Sequence, residues 1–198
     1  MQATIPYLED RLPDLFDFVR TLARQIDAGE LQDGKSLLLR LRDFYTADRM
    51  QAIEDVAPGW QEMAAYADRA TLHHITQVLI ALQRLPEFRQ ASRQQQALME
   101  WIVLYHDLGK QVIGGQRDAL HAFRSATMAA RTLPEEGFSP SEAYPARLEP
   151  WTQLVLGASV AAPDGKGLIP DNRALPEILQ GLDELFGAGS AASLIVQA

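Results

Sequence analysis

The residues of this chain that are best suited to chemistry are four histidines and the carboxylates near them. The histidines are His73, His74, His106 and His121, and the chain contains no cysteine. Thiolate nucleophiles, disulfides and zinc-thiolate sites are therefore excluded, and any metal must use histidine, aspartate or glutamate. A single helical histidine is more often an ordinary side chain than a ligand, so the interpretation depends on the set.

The doublet His106-Asp107 stands out within this set. It follows an apolar run over residues 101–105 and precedes Leu108-Gly109-Lys110, which predicts an imidazole and a carboxylate at the end of a buried helix. Burying both groups unpaired would be costly. A divalent cation removes that cost, because imidazole nitrogen and carboxylate oxygen are both good ligands for first-row metals. The alternative is a capping histidine that pairs with Lys110 or a nearby arginine.

The stretch around this doublet resembles the His-Asp (HD) domain family of metal-dependent phosphohydrolases. The family pattern consists of an upstream histidine, the doublet and a distant aspartate, all on helices. The upstream ligand commonly begins a His-x-x-x-Val segment. Here the segment from His74 to Val78 has this form, and His74 lies 32 residues before His106. The resemblance covers about residues 71–186, and it is most specific at the doublet.

Helical spacing also favours His74 over its neighbour His73 as the upstream ligand. A ligand in a core should lie on the apolar side of its helix, and the predicted face of His73 carries Gln77 and Arg84. Three apolar residues, Val78, Leu82 and Leu85, share the predicted face of His74.

In many members of the family a further histidine on the next helix lines the site or binds a second metal. His121 occupies that place, and the resemblance implies the same role for it. Its neighbours at helical spacing, Ser125 and Met128, suit a partly buried face. A plain surface histidine is the alternative.

The distant aspartate is implied by one branch of the family, which hydrolyses cyclic di-nucleotides. Residues 159–186 contain a reduced version of that branch's pattern, which implies Asp183 as the fourth ligand, with Asp164 and Asp171 as competitors. The branch's His-His pair falls on Ser159 and Val160, which cannot replace imidazole ligands. We therefore expect one metal ion rather than two.

The resemblance implies a ligand set of two neutral and two anionic donors. A divalent ion held by them (Mn, Fe, Co, Ni, Zn or Mg) would be formally neutral and would keep open coordination positions, as catalytic sites do. Such an ion could lower the pKa of a bound water for attack on phosphorus. The implied ligands are His74, His106, Asp107 and Asp183.

The implied activity is that of a metal-dependent phosphohydrolase acting on a nucleotide or another small phosphoester. Asp107 and Lys110 would be catalytic, and Lys110, Arg124 and His121 would bind the substrate. Arg117 is a further cation near the doublet, and any of these cations could instead be a surface residue. The alternative is a catalytically degenerate HD-domain protein that acts as a signalling or partner-binding module.

The composition restricts the partners. The chain has 198 residues and a formal net charge of -8, which argues against broad nucleic-acid binding, because that binding depends on Lys and Arg neutralising phosphates. No apolar run approaches the roughly eighteen residues of a membrane span, and no secretory signal is visible, so we expect a cytoplasmic protein. The expected partner is a small phosphorylated substrate without membrane contact, and a homodimer is left open.

Apolar residues recur at spacings of three and four, which predicts an all-α fold. We expect a single compact helical HD-type domain over residues 58–190, with an N-terminal helical extension over residues 1–57 packed on it. Residues 135–150 contain several prolines and predict a surface loop, and residues 192–196 fit either a short strand or a docked tail. The predicted helices cover residues 7–26, 36–56, 60–85, 92–108, 118–133, 151–160 and 176–186.

Overall fold

The computed structural model describes residues 4–65, 69–111 and 118–198. Across these residues it has twelve α-helices, a short antiparallel hairpin and the 3-10 turn Asn172–Ala174, which confirms the all-α fold class. The described helices include none that is both long enough and apolar enough to cross a membrane. Arg117 lies outside the described residues.

The chain divides into two compact units, Tyr7–Leu104 and Met1–Pro6 with Tyr105–Ala198. This division does not test the predicted boundary between residues 57 and 58, which stays a prediction. In the unit Tyr7–Leu104, helix α2 packs against α6, and each presents an apolar face that is buried. The helices of this part of the chain are α1 Leu8–Arg11, α2 Pro13–Asp27, α3 Gly34–Phe44, α4 Ala47–Val56, α5 Trp60–Ala64, α6 Ala70–Arg84, α7 Pro86–Gln90 and α8 Arg93–Tyr105.

Three of the predicted long helices are each two helices in the structure. Leu12 precedes a proline and has a non-helical backbone (φ −127°, ψ 56°), so α1 ends there and Pro13 begins α2. Tyr45 and Thr46 separate α3 from α4, and the Thr46 hydroxyl caps α4 by accepting a bond from the Arg49 amide. The third predicted helix is divided into α5 and α6.

In the other unit, helix α9 packs against α10 and α12, and α11 packs against the same two helices. A close contact joins α10 to α11, because a Cβ atom at Gly181 would lie 2.7 Å from Cδ1 of Trp151. The Trp151 indole also donates a 2.9 Å hydrogen bond to the carbonyl of Ile178. The elements are α9 His121–Thr132, α10 Tyr144–Gly157, β1 Ser159–Ala161, β2 Leu168–Pro170, the 3-10 turn Asn172–Ala174, α11 Leu175–Phe186 and α12 Ala191–Gln197.

One prediction about this unit is wrong, and an alternative that the sequence left open is decided. The predicted loop over residues 135–150 is helical from Tyr144, because Pro145 suits a first helical turn and α10 tolerates Pro150 inside it. Of the two alternatives for residues 192–196, the docked tail is confirmed: these residues belong to helix α12, which buries Ile195 and Val196 and packs against α9 and α11. The Ser190 side chain caps this helix by accepting a bond from the Ser193 amide.

Candidate metal centre

The doublet lies in the turn that directly follows helix α8. The helix buries its last apolar residues, and the chain then turns through Asp107 to Lys110, whose amide donates a 3.1 Å bond to the Asp107 carbonyl. Asp107 is buried with 4% of its surface exposed, whereas His106 is half-buried. The sequence prediction of an imidazole and a carboxylate at the end of a buried helix is therefore confirmed.

Three basic side chains of the same unit converge on the carboxylate of Asp107. Lys110 donates from Nζ to Oδ2 at 2.9 Å, and Nε2 of His121 lies 3.2 Å from Oδ1. Nε2 of His106 lies farther away, at 3.7 Å from Oδ2. Both carboxylate oxygens are thus held from two directions by groups that can carry positive charge.

These contacts determine the protonation of Asp107 and His121. Burial by itself would raise the pKa of Asp107, but hydrogen bonds from His121 and Lys110 outweigh it and hold that pKa below the ordinary value. The bond to Asp107 is also the main reason why the pKa of His121 is raised. Nδ1 of His121 lies 2.6 Å from the carbonyl oxygen of Asp118, which can only accept, so Nδ1 carries a proton. The side chain of Asp107 is therefore anionic at neutral pH.

Helix α9 holds the turn after the doublet in place through main-chain contacts. The Gly109 amide donates to the Ser125 hydroxyl at 2.9 Å, and Nε of Arg124 donates to the Gly109 carbonyl at 2.9 Å. A Cβ atom at position 109 would lie 2.5 Å from the Ser125 nitrogen, so only glycine allows this approach. The glycine of the doublet stretch thus has a steric reason to be there.

Asp118 is a site residue that the sequence prediction missed. Its side chain is fully buried, pairs with the guanidinium of Arg124 and accepts a 2.8 Å bond from the Gln111 amide. Burial would raise the pKa of Asp118, but the bond from Arg124 lowers it below the ordinary value. The available signal was an acidic residue three positions before His121, at the start of a predicted helix.

The histidines and the doublet provide a group that could hold a metal ion. One ligand atom each from His74, His106 and Asp107 all lie within 4.8 Å of one another. Two imidazole nitrogens and one carboxylate oxygen form a donor set that fits a divalent first-row metal. His73 is not a member of this group, and burial lowers its pKa.

The prediction that His74 lies on the apolar face of its helix is wrong. His74 is exposed rather than on the buried face of α6, and Leu85 at the end of that predicted face is 49% exposed. The buried face instead carries Leu72, Ile75 and Leu79.

The structure does not bring Asp183 into this group. Asp183 is exposed on α11, and Asp164 is exposed and accepts a bond from the Lys166 amide. Asp171 is engaged by Arg173, through both its amide and its guanidinium. Within the residues that the structure describes, the group of potential ligands has three members, and a fourth protein ligand stays a prediction.

In comparisons with known proteins, no family model, no curated protein and no solved structure matches the chain. The resemblance to the HD family therefore rests on the quoted motif residues alone.

Proposed function

We propose that the chain is a metal-dependent phosphohydrolase that acts on a nucleotide or another small phosphoester. The observation that carries the proposal is the approach of His74, His106 and Asp107, whose ligand atoms lie within 4.8 Å of one another. Three protein ligands are what catalytic metal sites use, because they keep a coordination position open for water or substrate.

The residues of the site have separable roles in this proposal. A divalent ion bound there supplies activation of water and polarisation of a phosphoryl oxygen. Asp107 stays ionised as a ligand because Lys110 and His121 hold its carboxylate. The positive charge of Lys110 beside the site favours binding of an anionic phosphoryl group.

Helix α9 contributes positioning and charge. His121 holds a proton at Nδ1 against the Asp118 carbonyl and directs Nε2 at Asp107. Arg124 as a substrate ligand stays a prediction, and its guanidinium already donates to the Gly109 carbonyl and to Asp118. A phosphoryl group would have to compete with these two acceptors for Arg124. It would also have to compete with Asp107 and the Asp118 carbonyl for the two ring nitrogens of His121. Lys110, whose ammonium group has three N–H donors, is therefore the stronger candidate for binding substrate.

One observation favours a second candidate function. Asp183, the ligand implied by the family pattern, is exposed and is not a member of the three-residue group. A site that has lost its fourth ligand could bind a metal without turning over a phosphoester. This candidate is a helical metal-binding module with a signalling or partner-binding role.

The experiment is metal analysis followed by a phosphatase screen, on the wild type and on His106→Ala and Asp107→Ala. We expect stoichiometric Mn, Fe, Co, Ni or Zn in the wild type, its loss in both variants, and metal-dependent release of phosphate from a nucleotide. His73→Ala is the matched control, because His73 adjoins His74 on the same helix but is not in the group.

The outcomes separate the two candidates. Metal binding without hydrolysis of any phosphoester would favour the non-catalytic module. A wild type that neither contains metal nor binds added metal would overturn both. The fourth ligand is tested with the variants Asp183→Asn, Asp164→Asn and Asp171→Asn. Only the substitution of a residue that binds the metal should lower the affinity for the metal.

A further inference from the structure

A cavity of about 390 Å³ lies within the unit Tyr7–Leu104, and its lining includes none of the potential metal ligands. Its volume falls within the range of small-molecule sites. The cavity is lined almost entirely by polar and charged side chains, and Phe88 is its one aromatic member. A polar lining of this kind suits a charged ligand rather than an apolar one.

Glu100, on α8, is the buried acid of this cavity. Only 5% of its surface is exposed, and its Oε1 accepts a 3.0 Å bond from the Gln83 amide. Within the described part of the chain, no other side chain or amide donates a hydrogen bond to this carboxyl group. A buried carboxyl group with one donor has unused acceptor capacity, which a ligand with N–H groups can satisfy.

Three guanidinium groups line the same cavity. Arg20 and Arg93 each bind a different oxygen of Glu9. Arg89 donates to Asp27 at 2.6 Å and to the Gln83 carbonyl at 2.9 Å. A guanidinium has five N–H donors, so each arginine keeps donors beyond those used in these bonds.

The charge of the lining contrasts with that of the whole chain. Three arginines and two glutamates line the cavity, which leaves one positive charge when both glutamates are ionised, whereas the chain carries a formal net charge of -8. A cavity with a positive field in a negatively charged protein concentrates anionic ligands. The lining therefore favours a ligand with a net charge of −1.

We propose that this cavity binds a small zwitterion that carries one ammonium group and two negative charges. Its ammonium group donates to the carboxyl group of Glu100, and its anionic groups accept from Arg89 and Arg93. Acidic amino acids and phosphorylated amino alcohols share this chemistry. The proposal goes beyond the phosphohydrolase activity and does not depend on it.

The test is isothermal titration of the full chain with L-glutamate, O-phosphoethanolamine and glutarate. Glutarate has the carbon chain and both carboxylates of glutamate but lacks the ammonium group. We expect at least one zwitterion to bind, and glutarate to bind about tenfold or more weakly, as the loss of a hydrogen bond to a charged group predicts. If only glutamate binds, the anionic groups that the cavity recognises are carboxylates. If only O-phosphoethanolamine binds, the recognised group is a phosphate.

Two variants assign the binding to this cavity. Glu100→Gln keeps the shape of the side chain but removes its charge, so it should weaken the zwitterion about tenfold and leave glutarate no weaker. Arg93→Gln should weaken all three probes. Arg147→Gln, which alters an exposed arginine that pairs with Glu184, is the control and should change nothing.

The proposal has clear failing results. It is overturned if neither zwitterion binds the wild type at concentrations up to about 10 mM, because a site with several charged contacts should have a lower Kd than that. It is also overturned if glutarate binds as tightly as glutamate, or if the Arg93→Gln variant binds like the wild type. Thermal unfolding of each variant establishes that it is folded, and Asp107→Ala should bind the zwitterion normally whether or not the metal proposal holds.

Discussion

Nε2 of His121 lies 3.2 Å from Oδ1 of Asp107, so the first residue of α9 orients a carboxylate of the candidate metal centre. Removal of an outer-shell partner of this kind typically costs about 10-fold to 100-fold in metal affinity. We therefore expect His121→Gln to weaken Mn²⁺ or Co²⁺ binding by about that factor, measured by titration of the metal-free protein. His73→Gln is the matched control and should keep wild-type affinity.

Arg124 neutralises a carboxylate that is fully buried, that of Asp118. Removing one partner of a buried ion pair leaves an uncompensated charge, so Arg124→Gln should lower the free energy of unfolding by about 3 kcal/mol in urea denaturation. The double variant Arg124→Gln with Asp118→Asn removes both charges and should recover part of that loss. Equal stability of the single variant and the wild type would show that the pair has no structural role.

Gly109 has no room for a methyl group. A Cβ atom there would lie 2.5 Å from the Ser125 nitrogen and 2.6 Å from Cβ of Arg124. Because the obstacle includes backbone, we expect Gly109→Ala to lower the free energy of unfolding by about 1 to 3 kcal/mol. Gly157→Ala, in α10 with nothing within 4 Å, should be neutral or stabilising by up to about 1 kcal/mol. Similar losses in both variants would contradict the close approach.

Glu100 should make the stability fall as the pH rises. Burial is the main reason why its pKa is raised above the ordinary value of 4.5, so the folded state binds more protons than the unfolded state between those two values. The stabilising contribution of the protonated form is complete below pH 4.5 and is lost as the pH rises through the raised pKa. We expect Glu100→Gln to flatten this dependence and to be more stable than the wild type at pH 7, measured by urea unfolding.

The contrasting variant for this prediction is Glu149→Gln. The pKa of Glu149 is lowered by hydrogen bonds from Gln153 and Arg131, so removing its charge should give no gain in stability at pH 7. If the free energy of unfolding of the two variants depends on pH in the same way, the burial of Glu100 is not the cause of the pH dependence of the wild type.

The sequence was most informative where periodicity and residue chemistry act together. The apolar run before His106 predicted a buried helix with the doublet at its end, and the spacing to His74 predicted a residue that contributes to the ligand group. The first prediction depends on local geometry, which a helix fixes over short distances. The second depends on the family pattern, because the helical-face prediction for His74 is wrong.

The remaining features depend on contacts that spacing does not encode. Asp118 and Arg124 hold the turn at Gly109 through a buried ion pair and a carbonyl bond, which required coordinates to be seen. Helix boundaries failed where prolines or capping side chains decided them, as at Pro13 and Pro145. Asp183 is exposed and lies outside the three-residue group, and a fourth ligand stays a prediction, because a pattern match fixes the order of residues but not which side of a helix is buried.

The Gly109 amide donates to Ser125 and the Gly109 carbonyl accepts from Arg124, so the docking of α9 and the geometry of the doublet are thermodynamically linked. A metal ion that binds only the native arrangement of Asp107 must also stabilise the docked helix, and by reciprocity anything that secures α9 must raise the affinity for the ion by the same factor. The site and the helix therefore form one cooperative element, and a ligand for either of them is an effector of the other.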